Sequence, residues 1–135
     1  MSKDTAMLTE KQIQQGKSLV AKLDQSGLKL EVAFWLYDPK RSPSWKLFLA
    51  SSSPQLDVGD ENLEARKLLS KIVQQVPDLA DLPSVAIELI PLDHPFIKNI
   101  ATTLSTGYEI ANINMLNTRF DNLFIEGLHL YRMCV

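Results

Sequence analysis

Apolar residues recur between residues 9 and 27 at the spacing of a helix that buries one face. The members of this stripe are Ile13, Leu19, Val20 and Leu23. Thr9 lies just before the pattern and Gln12 follows three residues later, which is the signature of a capping box. Gly27 comes after the last apolar position, where glycine typically ends a helix. The sequence therefore predicts a first helix that begins after Thr9 and ends before Gly27.

The pattern changes over residues 30–38, where β-branched and aromatic residues are concentrated. Both faces of this segment are apolar beyond Glu31, which favours a central strand or a face that meets another element. Pro39 ends the segment, and residues 39–44 have the composition of a turn. Residues 45–51 are predicted to return as a second strand, so that the two strands form a hairpin.

A second amphipathic helix is predicted after the hairpin. Asp60 is placed to cap this helix and Pro77 to stop it. Its apolar stripe consists of Ala65, Leu68, Leu69, Ile72, Val73 and Val76. Residues 85–92 then predict a third strand, in which Glu88 is the one charged residue.

A third helix is predicted where Asp93, His94 and Pro95 follow that strand. Proline is common in the first turn of a helix, because its missing amide donor has no partner there anyway. The buried face of this helix is predicted to hold Phe96, Ile97, Ile100, Ala101 and Leu104. Gly107 is the predicted cap at its end.

The remaining segments complete an α+β order. Residues 108–122 are rich in asparagine, which favours turns, and a short strand near residues 109–115 is the alternative. Residues 123–133 predict the last strand, with Gly127 marking a bulge. The order αββαβα(β)β predicts a four- or five-stranded mixed, mainly antiparallel sheet with about three helices, mostly on one face. No repeat or linker divides the chain, so we expect a single α+β domain over residues 1–135.

Helices on one face leave the other face of the sheet to be explained. The covered face is predicted to hold Val32, Phe34, Leu36, Trp45, Leu47, Leu49, Leu128 and Leu130. The second face is then predicted to hold Trp35, Tyr37, Phe48, Glu88, His129 and Tyr131. Three interpretations stay open. In the first, another segment covers this face and its aromatic side chains belong to the core. In the second, Trp35, Tyr37 and Phe48 form the interface of a symmetric homodimer. In the third, the polar members of this face orient a ligand in an apolar cleft.

Charge and cysteine content exclude several classes of protein. The net charge is -2, and the lysines of the first half are spread along the chain, whereas a nucleic-acid partner requires clustered cations. Cys134 is the only cysteine, so an internal disulfide is impossible. The N-terminus lacks the apolar core of a signal peptide. The longest apolar run, residues 32–37, is far shorter than the ~20 residues of a membrane span. We therefore expect a cytoplasmic protein with neither a nucleic-acid nor a membrane partner.

The two histidines are the main candidates for chemistry. Asp93 could orient His94 as a general base, or one of the two residues simply caps the third helix. A metal site built from Asp93, His94, Glu126 and His129 lacks a recognised ligand spacing. On a regular strand, moreover, Glu126 and His129 point to opposite faces. The chain has no nucleophile elbow and no phosphate-binding glycine loop. We therefore expect neither a metal nor a cofactor.

Arg132 is the third candidate, since the predicted strand places it on the face of Leu128 and Leu130. A partly buried arginine usually has a carboxylate partner. Arg132 is therefore expected either to form an internal ion pair or to bind the carboxylate or phosphate of a ligand.

The motifs WLY at residues 35–37 and W-x-L-x-LAS at 45–51 resemble the opening hairpin of a family of small uncharacterised bacterial proteins. The same pattern continues with an I-x-L…D-x-P strand end at residues 87–95 and a Tyr-Arg strand at 131–132. The resemblance covers residues 28–133. It implies a bacterial, stand-alone domain, and it carries no assigned activity and no residue role.

Two functional hypotheses follow. The first is a non-enzymatic interaction domain that self-associates as a homo-oligomer through its aromatic sheet face. Another protein or a small molecule is a further candidate partner of this domain. The alternative is a small-molecule-binding protein or an enzyme. Its site would lie around Asp93, His94, His129, Tyr131 and Arg132.

Overall fold

A computed structural model describes residues 8–28, 30–38, 44–53, 63–79 and 86–135 of the chain. The helices among these residues are α1 (Glu10–Gln25), α2 (Leu63–Gln74), α3 (Pro95–Ala101) and a 3-10 helix at Pro77–Leu79. The strands are β1 (Leu30–Asp38), β2 (Ser44–Ser51), β3 (Ile87–Leu89), β4 (Ile113–Phe120) and β5 (Leu123–Met133). The order α1β1β2α2β3α3β4β5 confirms the predicted α+β fold, including the strand that the sequence left as an alternative.

The strands form one mixed sheet in the order β3-β2-β1-β5-β4, so that β1 is central as predicted. β1 pairs antiparallel with β2, which confirms the hairpin, and β5 pairs antiparallel with both β1 and β4. Only β3 runs parallel to its neighbour, β2, and it forms one edge of the sheet. The apolar run of β1 follows from this topology, because a central strand is buried on both faces.

Most helices lie on one face of the sheet as predicted, but α3 covers the second face, which was expected to have no helix. The first core lies beneath α1, α2 and the 3-10 helix and includes Leu19, Leu23, Trp35, Trp45, Leu47, Leu49, Ala65, Leu79 and Tyr131. The second core lies beneath α3 and includes Val32, Phe34, Leu36, Phe48, Ile97, Ile100, Leu128 and Leu130. The predicted faces were wrong for β2, because Trp35 pairs with Leu47 and Phe34 with Phe48. Paired residues in an antiparallel sheet share a face, so Leu47 lies with Trp35 in the first core.

The predicted capping box of α1 is present. The amide of Gln12 donates to the Thr9 hydroxyl at 3.1 Å, and the Thr9 amide donates to the Gln12 side-chain oxygen at 2.9 Å. Gly27 follows the helix with φ +80°, a conformation that favours glycine. α2 ends before Pro77 as predicted, whereas its predicted cap, Asp60, lies outside the described residues.

Strand β5 has the predicted bounds but two interruptions in its alternation. Ile125 and Leu128 are three positions apart and both lie in the second core, so the faces change between them. The register with β4 is unbroken there, since Leu116 pairs with Gly127 and Met115 with Leu128, so the predicted bulge at Gly127 is not present in this pairing. A register shift against β1 follows, because Arg132 pairs with Ala33 while Leu130 pairs with Phe34. One extra residue therefore lies between these two pairs. Arg132 consequently leaves the face of Leu128 and Leu130, contrary to the prediction, and turns towards α1.

Three boundaries differ from the prediction. β3 is confined to three residues of the predicted 85–92 segment. α3 begins as predicted but ends at its cap Thr102 instead of Gly107. Beyond the helix, Thr106 bonds to Met133 at the end of β5, with its amide donating to the Met133 carbonyl and its hydroxyl accepting from the Met133 amide. β4 lies later than residues 109–115, and it includes Asn117 at φ 48°, which asparagine tolerates better than most residues.

Candidate functional site

The predicted ligand-binding residues lie on opposite faces of the sheet. His94 caps α3, since its Nδ1 accepts a hydrogen bond from the Phe96 amide at 3.1 Å. Its ring lies 4.7 Å from that of Phe96, which packs against the second core. Tyr131 and Arg132 contact α1 on the other face. The structure therefore does not bring Asp93 and His94 together with the other three predicted residues.

Tyr131 holds α1 against the sheet. Its hydroxyl donates to the Ile13 carbonyl at 2.6 Å and accepts from the Trp35 indole nitrogen at 3.0 Å. Both aromatic side chains are fully buried. Burial raises the pKa of Tyr131 far above its usual value, so the hydroxyl keeps its proton and serves as a structural donor.

Arg132 forms an internal ion pair, the first of the two interpretations given by the sequence. Its terminal nitrogens lie 3.0 and 2.9 Å from the two carboxylate oxygens of Asp24, at the end of α1. The guanidinium also donates to the carbonyl oxygens of Leu30 and Tyr108 and lies over the Tyr108 ring. These internal partners occupy the terminal guanidinium nitrogens, so Arg132 is an anchor of the fold.

The His129 residue lies buried beside Asn112, with 4% of its surface exposed. Its Nε2 lies 3.2 Å from the Asn112 side-chain oxygen. Because that oxygen only accepts, we assign the proton of the neutral ring to Nε2. Nδ1 has no hydrogen-bond partner in the described part of the chain. Among those residues, no three His, Cys, Asp or Glu side chains lie close enough together to hold a metal ion.

Acidification is expected to destabilise the fold through both histidines. Burial lowers the pKa of His129, and burial also lowers the pKa of His94 against the opposing influence of Glu88 and Asp93. An unfolded histidine has a pKa of about 6.5, so below that pH the unfolded chain binds protons that the folded chain does not. Stability is therefore fully present above about pH 6.5 and falls as the pH drops through the lower folded pKa values.

Urea unfolding at pH 7.5 and pH 5.5 measures this effect. We expect the wild type to lose more stability between these pH values than the double variant His94→Asn, His129→Gln, in which asparagine keeps a capping side chain. Equal losses in the two proteins would show that other groups cause the pH dependence.

The predicted interface residues belong to the cores of the single chain. Trp35 is fully buried in the first core, whereas Phe48 is 6% exposed in the second. Tyr37 is half-buried, with its ring 5.6 Å from that of Trp45. The larger exposed apolar side chains lie elsewhere, and they include Leu116 on β4 and Phe124 on β5. Self-association stays a prediction, and Trp35 could contact a second copy only if the fold opened.

A cleft of about 450 Å³ lies between α2, the 3-10 helix and the edge strand β3. Its apolar lining consists of Leu69, Val73, Val76, Pro77, Leu79, Ile87 and Leu89. Leu79 is fully buried and Ile87 nearly so, and both belong to the first core. The cleft therefore extends the first core outwards, and the described side chains do not fill it.

Three polar side chains of α2 form one wall of the cleft. Arg66, Ser70 and Gln74 lie four residues apart, which places them in a row along one side of the helix. Each has at least one hydrogen-bond donor, and Arg66 is always charged. Within the described ranges, none of the three forms a hydrogen bond or an ion pair with another side chain or carbonyl.

Sequence reasoning missed this cleft. It predicted the apolar stripe of α2 but assigned no role to the polar positions beside that stripe. The cleft requires β3 to lie parallel to β2 at the sheet edge, a tertiary arrangement with no local signal. The polar row at every fourth residue beside the stripe was the available clue.

No protein-family model, curated protein or solved structure matches this chain. The resemblance to a family of small uncharacterised bacterial proteins therefore stays a prediction. In the described part of the chain, no helix combines the length and the apolar character that crossing a membrane requires.

Proposed function

We propose that this protein is a non-catalytic binding domain that holds a small, largely apolar molecule in the cleft between α2 and β3. The cleft volume of about 450 Å³ carries the proposal. Ligand sites typically measure about 300–1,000 Å³ and combine an apolar lining with a few placed polar groups. The α2–β3 cleft has both properties, because seven apolar side chains face the polar row of α2.

The lining favours binding over catalysis. Ser70 is the one hydroxyl among the described lining residues, and a serine nucleophile needs a neighbouring base to activate it. The described lining contains no His, Asp, Glu or Cys side chain. The sequence analysis offered a small-molecule-binding protein as its alternative hypothesis, and the proposed function belongs to the same class. The proposed site, however, lies at residues that the sequence did not indicate.

Filling the cleft is expected to abolish binding of an apolar probe. The neutral dye N-phenyl-1-naphthylamine fluoresces in apolar surroundings, so its titration reports occupancy of the cleft. In Ser70→Trp, the indole projects from the exposed wall into the cleft, and we expect the affinity for the dye to fall at least about tenfold. Ser105→Trp is the matched control, because Ser105 is exposed and lies outside the cleft lining.

Two results would contradict the proposal. The first is that the wild-type protein does not bind the dye, and the second is that both tryptophan variants bind it as well as the wild type. Thermal unfolding of each variant shows whether a loss of binding reflects a damaged fold. Native mass spectrometry of the fresh protein adds an independent measurement, because it reports a retained ligand and the oligomeric state together.

A further inference from the structure

We propose that the natural ligand is an amphiphile, an apolar body with one anionic group, and that Arg66 binds this group at the mouth of the cleft. This inference rests on the proposed function and adds the chemical class of the ligand. The anionic group is a carboxylate, sulfonate or phosphate, whose oxygens match the planar donors of a guanidinium.

The position of Arg66 is the first argument. Arg66 lies at the cleft wall and is exposed, so its guanidinium stays hydrated until a ligand arrives. Among the described residues it has no acidic partner that a ligand would have to displace. The acid of the same helix, Glu64, lies 3.8 Å from Lys67 instead. Arg66 is thus the one charged side chain in the described lining.

The polar row gives the second argument. Ser70 and Gln74 continue the line from Arg66, so hydrogen-bond donors lie along one wall while the opposite side is apolar. All three side chains are exposed, so water hydrates them in the empty cleft, and a fully apolar ligand that displaced this water would leave the donors without partners at a free-energy cost. A ligand with oxygen atoms along one edge satisfies the donors and buries its apolar body against Leu79, Ile87 and Leu89.

The charge distribution gives the third argument. The protein as a whole carries a net charge of -2 and therefore does not attract anions in general. α2 differs, because it carries Arg66, Lys67 and Lys71 against the single acid Glu64. An anionic group beside Arg66 therefore lies against a helix whose own charges sum to +2, three cations and one acid.

A matched pair of dyes tests the inference. 8-Anilinonaphthalene-1-sulfonate has the same aromatic body as N-phenyl-1-naphthylamine and adds one sulfonate. We expect the wild type to bind the sulfonate about fivefold more tightly, the ratio expected for an ion pair at an exposed position. Arg66→Gln is expected to remove this preference while the neutral dye still binds. Lys67→Gln removes the same charge from the same helix outside the cleft lining, and should keep the preference.

The outcomes separate the two proposals. If the wild type binds neither dye, the proposed function fails. If it binds both equally, or if Arg66→Gln keeps the preference for the sulfonate, the cleft stands and the anionic ligand is overturned. If Lys67→Gln loses the preference as Arg66→Gln does, the general charge of the helix is responsible and the role of Arg66 is also overturned. Displacement of the bound sulfonate by dodecanoate or by 2-naphthoate then shows whether the apolar body is a chain or a ring.

Discussion

Replacing Gly16 with alanine is expected to lower the free energy of unfolding by about 3 kcal/mol, the upper range for an added methyl group in a packed core. Helix propensity alone predicts the opposite sign, a gain of about 1 kcal/mol. The structure reverses the sign because Gly16 faces the hydrogen-bonded pair of Tyr131 and Trp35. An added Cβ would lie 2.7 Å from the Trp35 indole nitrogen and still closer to the Tyr131 hydroxyl. Both rings are fully buried, so neither can move aside without disturbing the first core.

Urea unfolding of Gly16→Ala measures this loss, and Gly107→Ala is the matched control. An added Cβ at Gly107 meets no atom within 4 Å, so the control should stay within about 0.5 kcal/mol of the wild type. Tyr131→Phe removes the closest atom, so in the double variant we expect the cost of Gly16→Ala to shrink. An additive double variant would show that the contact with the Tyr131 hydroxyl is not the cause, and a neutral Gly16→Ala would contradict the close packing itself.

Replacing Asp24 with asparagine is expected to cost about 3 kcal/mol, because the substitution leaves Arg132 charged and without its carboxylate. Arg132 is only 2% exposed, so water cannot replace the lost partner. The two carbonyl bonds of the guanidinium remain, and Asp24 itself is 38% exposed. Both facts place the cost at the lower end of the range for a broken buried pair.

Chemical denaturation at pH 7.5 tests this expectation, with Asp93→Asn as the control for the same substitution at an exposed position. The control should change stability by less than about 0.5 kcal/mol. Replacing both members of the pair, as Asp24→Asn with Arg132→Met, is expected to cost less than the sum of the single substitutions, since no uncompensated charge stays buried. Strict additivity would mean that the two side chains do not stabilise the fold as a pair.

Locally encoded features of the fold could be predicted from the sequence. The bounds of β1 and β5, the capping box at Thr9 and the helix stop at Gly27 all depend on neighbouring residues, and the structure has each of them. The assignment of faces failed because it depends on register between strands. The pairing of Trp35 with Leu47 is set by the unpredicted alignment of β1 and β2, and it moved one whole face of β2 to the opposite core.

The candidate site was harder to predict than the fold. Tyr131, Arg132 and His129 were selected as polar groups on an apolar strand, but such groups also serve to satisfy buried hydrogen bonds within the fold. The bulge before Arg132 sent it towards Asp24, a pairing across 108 positions that no local pattern contains. The cleft lining, by contrast, includes ordinary leucines and valines whose arrangement depends on β3 lying at the sheet edge.

The parallel pairing of β3 with β2 has a consequence for how the cleft assembles. All of the described lining residues fall within one part of the chain, between residues 66 and 89. Contacts that are local in sequence have a low entropic cost of closure, so α2 and β3 can dock as a unit once β2 is in place. β3 contributes only three residues to the sheet, which makes this unit the most weakly held by strand pairing. A ligand that contacts both α2 and β3 therefore holds the two elements together, and its binding free energy adds to the stability of this unit against local opening.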